Sequence, residues 1–181
     1  AMGVDYPGFA IGTFPVQNFR SGELEGWEKI AFLQYAAITQ KHSGCYACML
    51  KCGKTRTVAE GPYAGVTSEG PQYESIWAFT GPTACPDLGA TVKADYMCCE
   101  LGLDTISTGV TIGFAYELFE KGIITTKDTG GLVLKYGDPE PMIALVKKIA
   151  AREGLGDILA EGVKRAAERI GKGAEQYAMH V

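Results

Sequence analysis

Three cysteines within eight residues, Cys45-Tyr46-Ala47-Cys48-Met49-Leu50-Lys51-Cys52, give the spacing C-x2-C-x3-C. Thiolates this close in sequence can converge on one small object, and the usual objects are an iron–sulfur cluster and a zinc ion. Zinc normally takes a second ligand pair. The remaining cysteines, Cys85, Cys98 and Cys99, form no CxxC pair, and the only histidines are His42 and His180. His42 lies three residues before Cys45, so a zinc site of three thiolates and one imidazole stays open. A [4Fe–4S] cluster draws its thiolates from one tight turn and another segment, which the spacing suits. The fourth thiolate is then Cys85, Cys98, Cys99 or a residue outside this chain. Gly44, Lys51 and Gly53 make the segment a poor one to bury, which argues against three merely packed cysteines.

The elements that position this motif are mostly helical. Leu24, Trp27, Ile30, Phe32, Leu33, Ala36 and Ala37 recur near helical spacing and predict a helix from about 24 to 38, with the cysteines just past its end. Residues 53–71 are rich in Gly, Thr and Pro and read as a long loop. After an apolar run at Ser75–Phe79, Asp87 is a candidate N-cap for a helix over about 88–101 that Gly102 ends. A further helix is expected over Thr108–Lys121. Asp138-Pro139 should open one that stops at Gly154, and Asp157 one that stops at Gly171. Gly130–Tyr136 (GGLVLKY) is the only strand-like run. Residues 1–20 read as extended and irregular.

Composition narrows the function classes. The chain has 181 residues, 46% of them hydrophobic, and a formal net charge of −4 with scattered Lys and Arg. No basic patch marks a nucleic-acid footprint. No apolar run approaches the roughly 18 residues of a membrane span. The opening Ala1-Met2-Gly3 lacks the basic-then-apolar pattern of a signal peptide. It looks like a cloning remnant, so the segment is expected to be a piece of something longer. A cytoplasmic, reducing setting with six free thiols is the expectation, since adjacent Cys98-Cys99 pair only through a strained turn.

Beyond the cysteines, four more blocks carry a resemblance. They are Phe14-Pro15-Val16-Gln17-Asn18-Phe19 with Glu25-Gly26; Glu69-Gly70-Pro71-Gln72-Tyr73-Glu74-Ser75; Glu100-Leu101-Gly102-Leu103-Asp104-Thr105-Ile106-Ser107-Thr108-Gly109; and Tyr177-Ala178-Met179-His180-Val181. With Cys45–Cys52 they resemble, in order, motifs of the tungsten- or molybdenum-containing aldehyde:ferredoxin oxidoreductases, including EGPEYE and ELGLDTISTG. The resemblance implies a mainly α fold of multi-helical domains with long irregular loops and little strand. It divides the chain at 104: residues 1–104 as the helical domain with the iron–sulfur motif and a pterin-facing turn, residues 105–181 as the start of the C-terminal helical domain. It also implies a missing N-terminal β-rich domain cradling two pterins, and a missing C-terminal region with the fourth cluster cysteine.

The implied function is oxidation of aldehydes to carboxylic acids at a tungstopterin or molybdopterin, with electrons leaving through a [4Fe–4S] cluster to ferredoxin. Cys45, Cys48 and Cys52 would be cluster ligands. Glu74 and His180 would stand near the metal, the carboxylate as base or water-orienting group and the imidazole as hydrogen-bond donor. Leu103 and Asp104 would contact a pterin. Read on residue type alone, Glu74 is a loop glutamate, Asp104 an N-cap and His180 a tail residue. Three positions depart from the pattern. Cys99 replaces a pterin-binding aspartate, Gln72 the first glutamate of EYE, and Lys93 a glutamate that in some members binds a metal between subunits. No such bridge is therefore expected here. The isolated 181 residues are expected to be inactive. Two other classes fit the cysteines: a stand-alone iron–sulfur electron-transfer module and a zinc-stabilised structural domain.

Overall fold

The computed structural model describes residues 12–180. Helices dominate it, as the sequence implies, and the strands form one small sheet. After a 3-10 turn at Trp27–Ile30, α1 spans Phe32–Ala37. Strands β1 (Thr39–Ser43), β2 (Gly53–Thr57) and β3 (Thr67–Ser68) form an antiparallel sheet in the order β1-β2-β3. Seven helices follow: α2 Tyr73–Thr80, α3 Leu88–Leu101, α4 Thr105–Glu120, α5 Thr126–Thr129, α6 Pro139–Ala151, α7 Leu155–Leu159 and α8 Val163–Ile170. A 3-10 turn, Ala174–Tyr177, leads into the tail.

Helix ends follow local chemistry. The Asp87 carboxylate accepts from the Ala90 amide (2.7 Å) to start α3, and the Asp138 carboxylate accepts from the Glu140 amide (3.0 Å) ahead of the N-terminal proline of α6. Gly102, at φ 69°, ends α3, and the Leu103 amide reaches back to the Cys98 carbonyl at 2.8 Å. Asp104 then caps α4 two residues later, so this helix begins at Thr105, earlier than the expected Thr108.

Two apolar clusters build the interior. Ile112, Phe114, Tyr116 and Leu118 of α4 pack with Met142 and Leu145 of α6 and Leu159 of α7. Phe14, Leu24, Ile30, Tyr35, Val58 and Ile76 form the other. Helix α3 is the wall between them: Val92 faces the second cluster, while Ala90, Ala94, Met97 and Cys98 face the first.

Four expectations are corrected. The helix over 24–38 is instead a 3-10 turn and a short α1, separated by Ala31 in an extended conformation (φ −66°, ψ 162°). The loop over 53–71 contains β2 and β3. The run Gly130–Tyr136 forms no ladder: Gly130 and Gly131 take positive φ to end α5, and the apolar residues pack on the core without a partner strand. The last helix is broken at Gly162 (φ 84°) into α7 and α8. Residues 1–11, the start of the expected irregular segment, lie outside the described residues. Among the described residues no helix is long and apolar enough to cross a membrane.

Candidate functional site

The three clustered cysteines do not follow a helix. They sit on the loop that joins β1 to β2, so a hairpin presents them. Its last rung pairs Ser43 with Gly53. A Cβ on Gly53 would lie 2.5 Å from Ser43 Oγ, and one on Gly44 would lie 3.1 Å from Lys51 Cα, so glycine is what lets the loop ends close this tightly. Within the loop the Cys48 amide donates to the Cys45 carbonyl (3.0 Å), and Ala47 and Lys51 take positive φ. Cys45 and Cys52 are exposed and Cys48 is half-buried. Tyr46, Met49 and Leu50 stand almost fully in solvent.

Three soft sulfur donors on one exposed turn suit a cluster or a thiophilic metal. Among the described residues, however, no group of three or more His, Cys, Asp or Glu side chains converges as a metal cage. Cys85, Cys98 and Cys99 are not gathered to the loop. Cys85 and Cys98 lie in the interior, where burial pushes both thiols up to about 12 and disfavours the thiolate. Cys99 is exposed on the last turn of α3.

The EGPQYES and ELGLDTISTG blocks meet in space. Glu74 is exposed in the first turn of α2. The next residue, Ser75, shares a 2.7 Å hydrogen bond with Thr105, the first residue of α4. One turn further on, a Cβ at Gly109 would lie 2.3 Å from the Ala78 carbonyl oxygen. This glycine allows α2 and α4 to touch backbone to backbone. Glu74 and the Leu103-Asp104 turn are thus carried by the starts of two tightly packed helices. Asp104 Oδ2 accepts from the Ser107 amide at 2.6 Å, and that bond holds the carboxyl below the usual carboxylate range. Leu103 and Asp104 line a cavity of about 150 Å³ with Ser107, Thr111 and Leu159. His180 is exposed in the tail beyond the turn at 174–177. That turn packs on α4 and is tied back to the start of the chain by Asn18 Nδ2, which donates to the Tyr177 carbonyl (2.8 Å).

The family model described as "Aldehyde ferredoxin oxidoreductase, domains 2 & 3" matches residues 7–181. The chain belongs to this family. The tungsten-containing aldehyde ferredoxin oxidoreductases of Pyrococcus furiosus and Thermococcus kodakarensis are each 41% identical to it over 162 residues, 88% of this chain and 26% of theirs. The aliphatic sulfonate oxidoreductase, WOR-like subunit, of Pyrococcus furiosus is 36% identical over 189 residues, 96% of this chain and 29% of its own. Among solved structures, the active site complex BamBC of benzoyl coenzyme A reductase, in complex with 1,5-dienoyl-CoA, superposes with a TM-score of 0.76 at 32% identity. That match covers 91% of this chain and 25% of that one. The chain therefore spans about a quarter of the length of the relatives it matches.

Two charged groups escaped the sequence reading of this aldehyde ferredoxin oxidoreductase segment. Asp95 is buried in α3 and accepts from Ser68 Oγ of β3 at 2.5 Å. Burial raises its carboxyl above the ordinary value. Arg56 of β2 is buried against the Tyr35 ring (5.2 Å to the centroid) and donates through Nη1 to the Pro71 carbonyl (2.7 Å). A polar residue within the inward stripe Thr91, Ala94, Asp95, Cys98 was a readable signal for the first. Nothing local marked Arg56, because β2 itself read as loop. Lys93, where some relatives are expected to have a metal-binding glutamate, places its Nζ 5.2 Å from the Tyr96 ring centroid.

Proposed function

We propose that this chain is the cluster-bearing, cofactor-facing part of a tungsten- or molybdenum-pterin oxidoreductase that converts aldehydes to carboxylic acids. Electrons would leave through a [4Fe–4S] cluster to ferredoxin. The observation that carries this reading is the hairpin loop, which offers three thiols and no carboxylate within nine residues, in a chain whose relatives are named tungsten-containing aldehyde ferredoxin oxidoreductases. Cys45, Cys48 and Cys52 are the three cluster ligands in this reading, with the fourth supplied from outside the 181 residues. The pterin-bound metal, when present, supplies the redox centre at which the substrate carbon is oxidised.

The residues of this chain handle position and protons. Converting an aldehyde and a water to a carboxylic acid releases two electrons and two protons. Glu74, exposed at the start of α2, orients the water and accepts a proton from it. His180 donates a hydrogen bond to the aldehyde oxygen. Asp104 spends one lone pair on its helix cap and has others to accept from the amino edge of a pterin, with Leu103 packed beside it. The division at residue 104 places cluster and cofactor turn in one unit and α4 onward in the next. We assign the protein to the cytoplasm, where thiols stay reduced.

Anaerobic reconstitution with iron and sulfide tests the cluster assignment. Visible charge-transfer absorbance that Cys45→Ser, Cys48→Ser or Cys52→Ser abolishes is the expected result. Stoichiometric zinc without iron would overturn it. Aldehyde oxidation by the isolated 181 residues would overturn the reading of this chain as a part that needs the rest.

A further inference from the structure

The face of the hairpin that lies below the cysteine loop has a composition of its own. His42 and Lys54 are cross-strand partners, as are Thr39 and Arg56. In a regular strand Thr39 and His42, three residues apart, would point to opposite faces. The register shifts by one residue between Thr39 and Lys41, and this bulge turns both to the same side. Lys54 and Arg56, two apart, share that side as well. All four line a cavity of about 160 Å³ whose far wall is α1 and the start of α2, with Tyr35 and Gln72. That is more room than a single water needs.

Charge in the cavity is unbalanced. Among the described residues no carboxylate comes within ion-pair distance of His42, Lys54 or Arg56. Lys54 Nζ has only the Lys51 carbonyl (3.0 Å). Arg56 is 8% exposed, and its Nε makes no hydrogen bond although it is buried. A buried guanidinium N–H without an acceptor costs free energy on the scale of a lost charged hydrogen bond. Asp95 lies close enough to favour the Arg56 charge but its carboxylate is bound to Ser68. Two cations thus face one partly distant anion.

We infer that this cavity is an oxyanion site, taking a carboxylate or phosphate group between the Arg56 guanidinium, Lys54 Nζ and the His42 imidazole. Arg56 is pre-positioned by the Tyr35 ring and the Pro71 carbonyl, so its free edge is fixed before any ligand arrives. Lys54 adds a point charge at the mouth. The site does not depend on a cluster forming in the loop above it.

Isothermal calorimetry on the purified protein with inorganic phosphate and, separately, acetate tests the inference. Saturable binding of at least one is expected, and the stronger of the two identifies the group the site is built for. Lys54→Gln should weaken it at least about tenfold, the scale of one charged hydrogen bond. Lys54→Glu should abolish it. Lys54 is only half-buried, so these variants fold even where Arg56→Gln does not. No saturable binding of either anion, or equal affinity in wild type and Lys54→Glu, overturns the inference.

Discussion

Replacing Gly109 by alanine probes the contact that holds the two candidate cofactor-facing turns together. An ideal Cβ there would lie 2.3 Å from the Ala78 oxygen, 2.6 Å from its carbonyl carbon and 2.8 Å from its Cβ. Two of these are backbone atoms of α2, so no side chain can swing aside. Ordinary contact begins near 3.4 Å, so the helices must separate by roughly 1 Å, which a close-packed interior resists. Overpacking costs ~1–3 kcal/mol, and a clash with backbone belongs near ~3. The better helix propensity of alanine offsets ~1 kcal/mol. The net loss of ~2 kcal/mol corresponds to a melting temperature lower by about 4–8 °C for a chain of this size. Thermal unfolding followed by circular dichroism reads it directly. Gly102→Ala is the control: its Cβ would meet nothing within 4 Å, and only its φ of +69° is strained. A Gly109→Ala protein that melts at or above the wild-type temperature would refute the reasoning, because the propensity gain would then be unopposed.

Two further outcomes are expected. Cys85 and Cys98, buried with thiols held near 12, should escape alkylation in the native protein while Cys45, Cys52 and Cys99 react; peptide mapping that finds all six equally labelled contradicts the packing. Asp95 has its carboxyl raised by burial from 3.8, so the folded state holds this proton more tightly than the unfolded one and loses that advantage as pH rises. Asp95→Asn removes the loss, and its stability relative to wild type should therefore grow from pH 4 to pH 7 in urea titrations; a difference that stays constant with pH sinks this account.

Helix punctuation was legible because it is local. Asp87, Gly102 and Asp138-Pro139 act through their own backbone neighbourhoods, and each ends or begins a helix where its chemistry says. Asp104 is the N-cap that residue type alone suggested, whatever else it does. The hairpin was not legible. Thr39-Gln40-Lys41-His42-Ser43 has no apolar alternation, since most of β1 is exposed, and a strand held by its ladder alone leaves no hydrophobic period to read. The run at 130–136 misled in the opposite sense. Its alternating Leu132, Leu134 and Tyr136 do pack on the core, but alternation reports burial and cannot report whether a partner strand exists. The 24–38 stripe failed at Ala31, a good helix former by type that takes an extended conformation between the 3-10 turn and α1. For the site, the close packing of the helix starts that carry Glu74 and Asp104 depends on Gly109, a residue whose importance shows only once α2 lies against it.

The closure of the cysteine loop has an entropic consequence. Ser43 and Gly53 are joined by the sheet, so the ladder and not the sulfurs closes the ring of chain that carries the three cysteines. Much of the conformational freedom that binding would otherwise remove is already gone. Once one sulfur engages a metal centre, the other two arrive from within the same short ring, at a high effective local concentration. Because closure cost rises only slowly with length, doubling such a loop would add just ~0.6 kcal/mol. The cysteine spacing is thus constrained by the geometry of whatever is bound far more than by the chain that presents it.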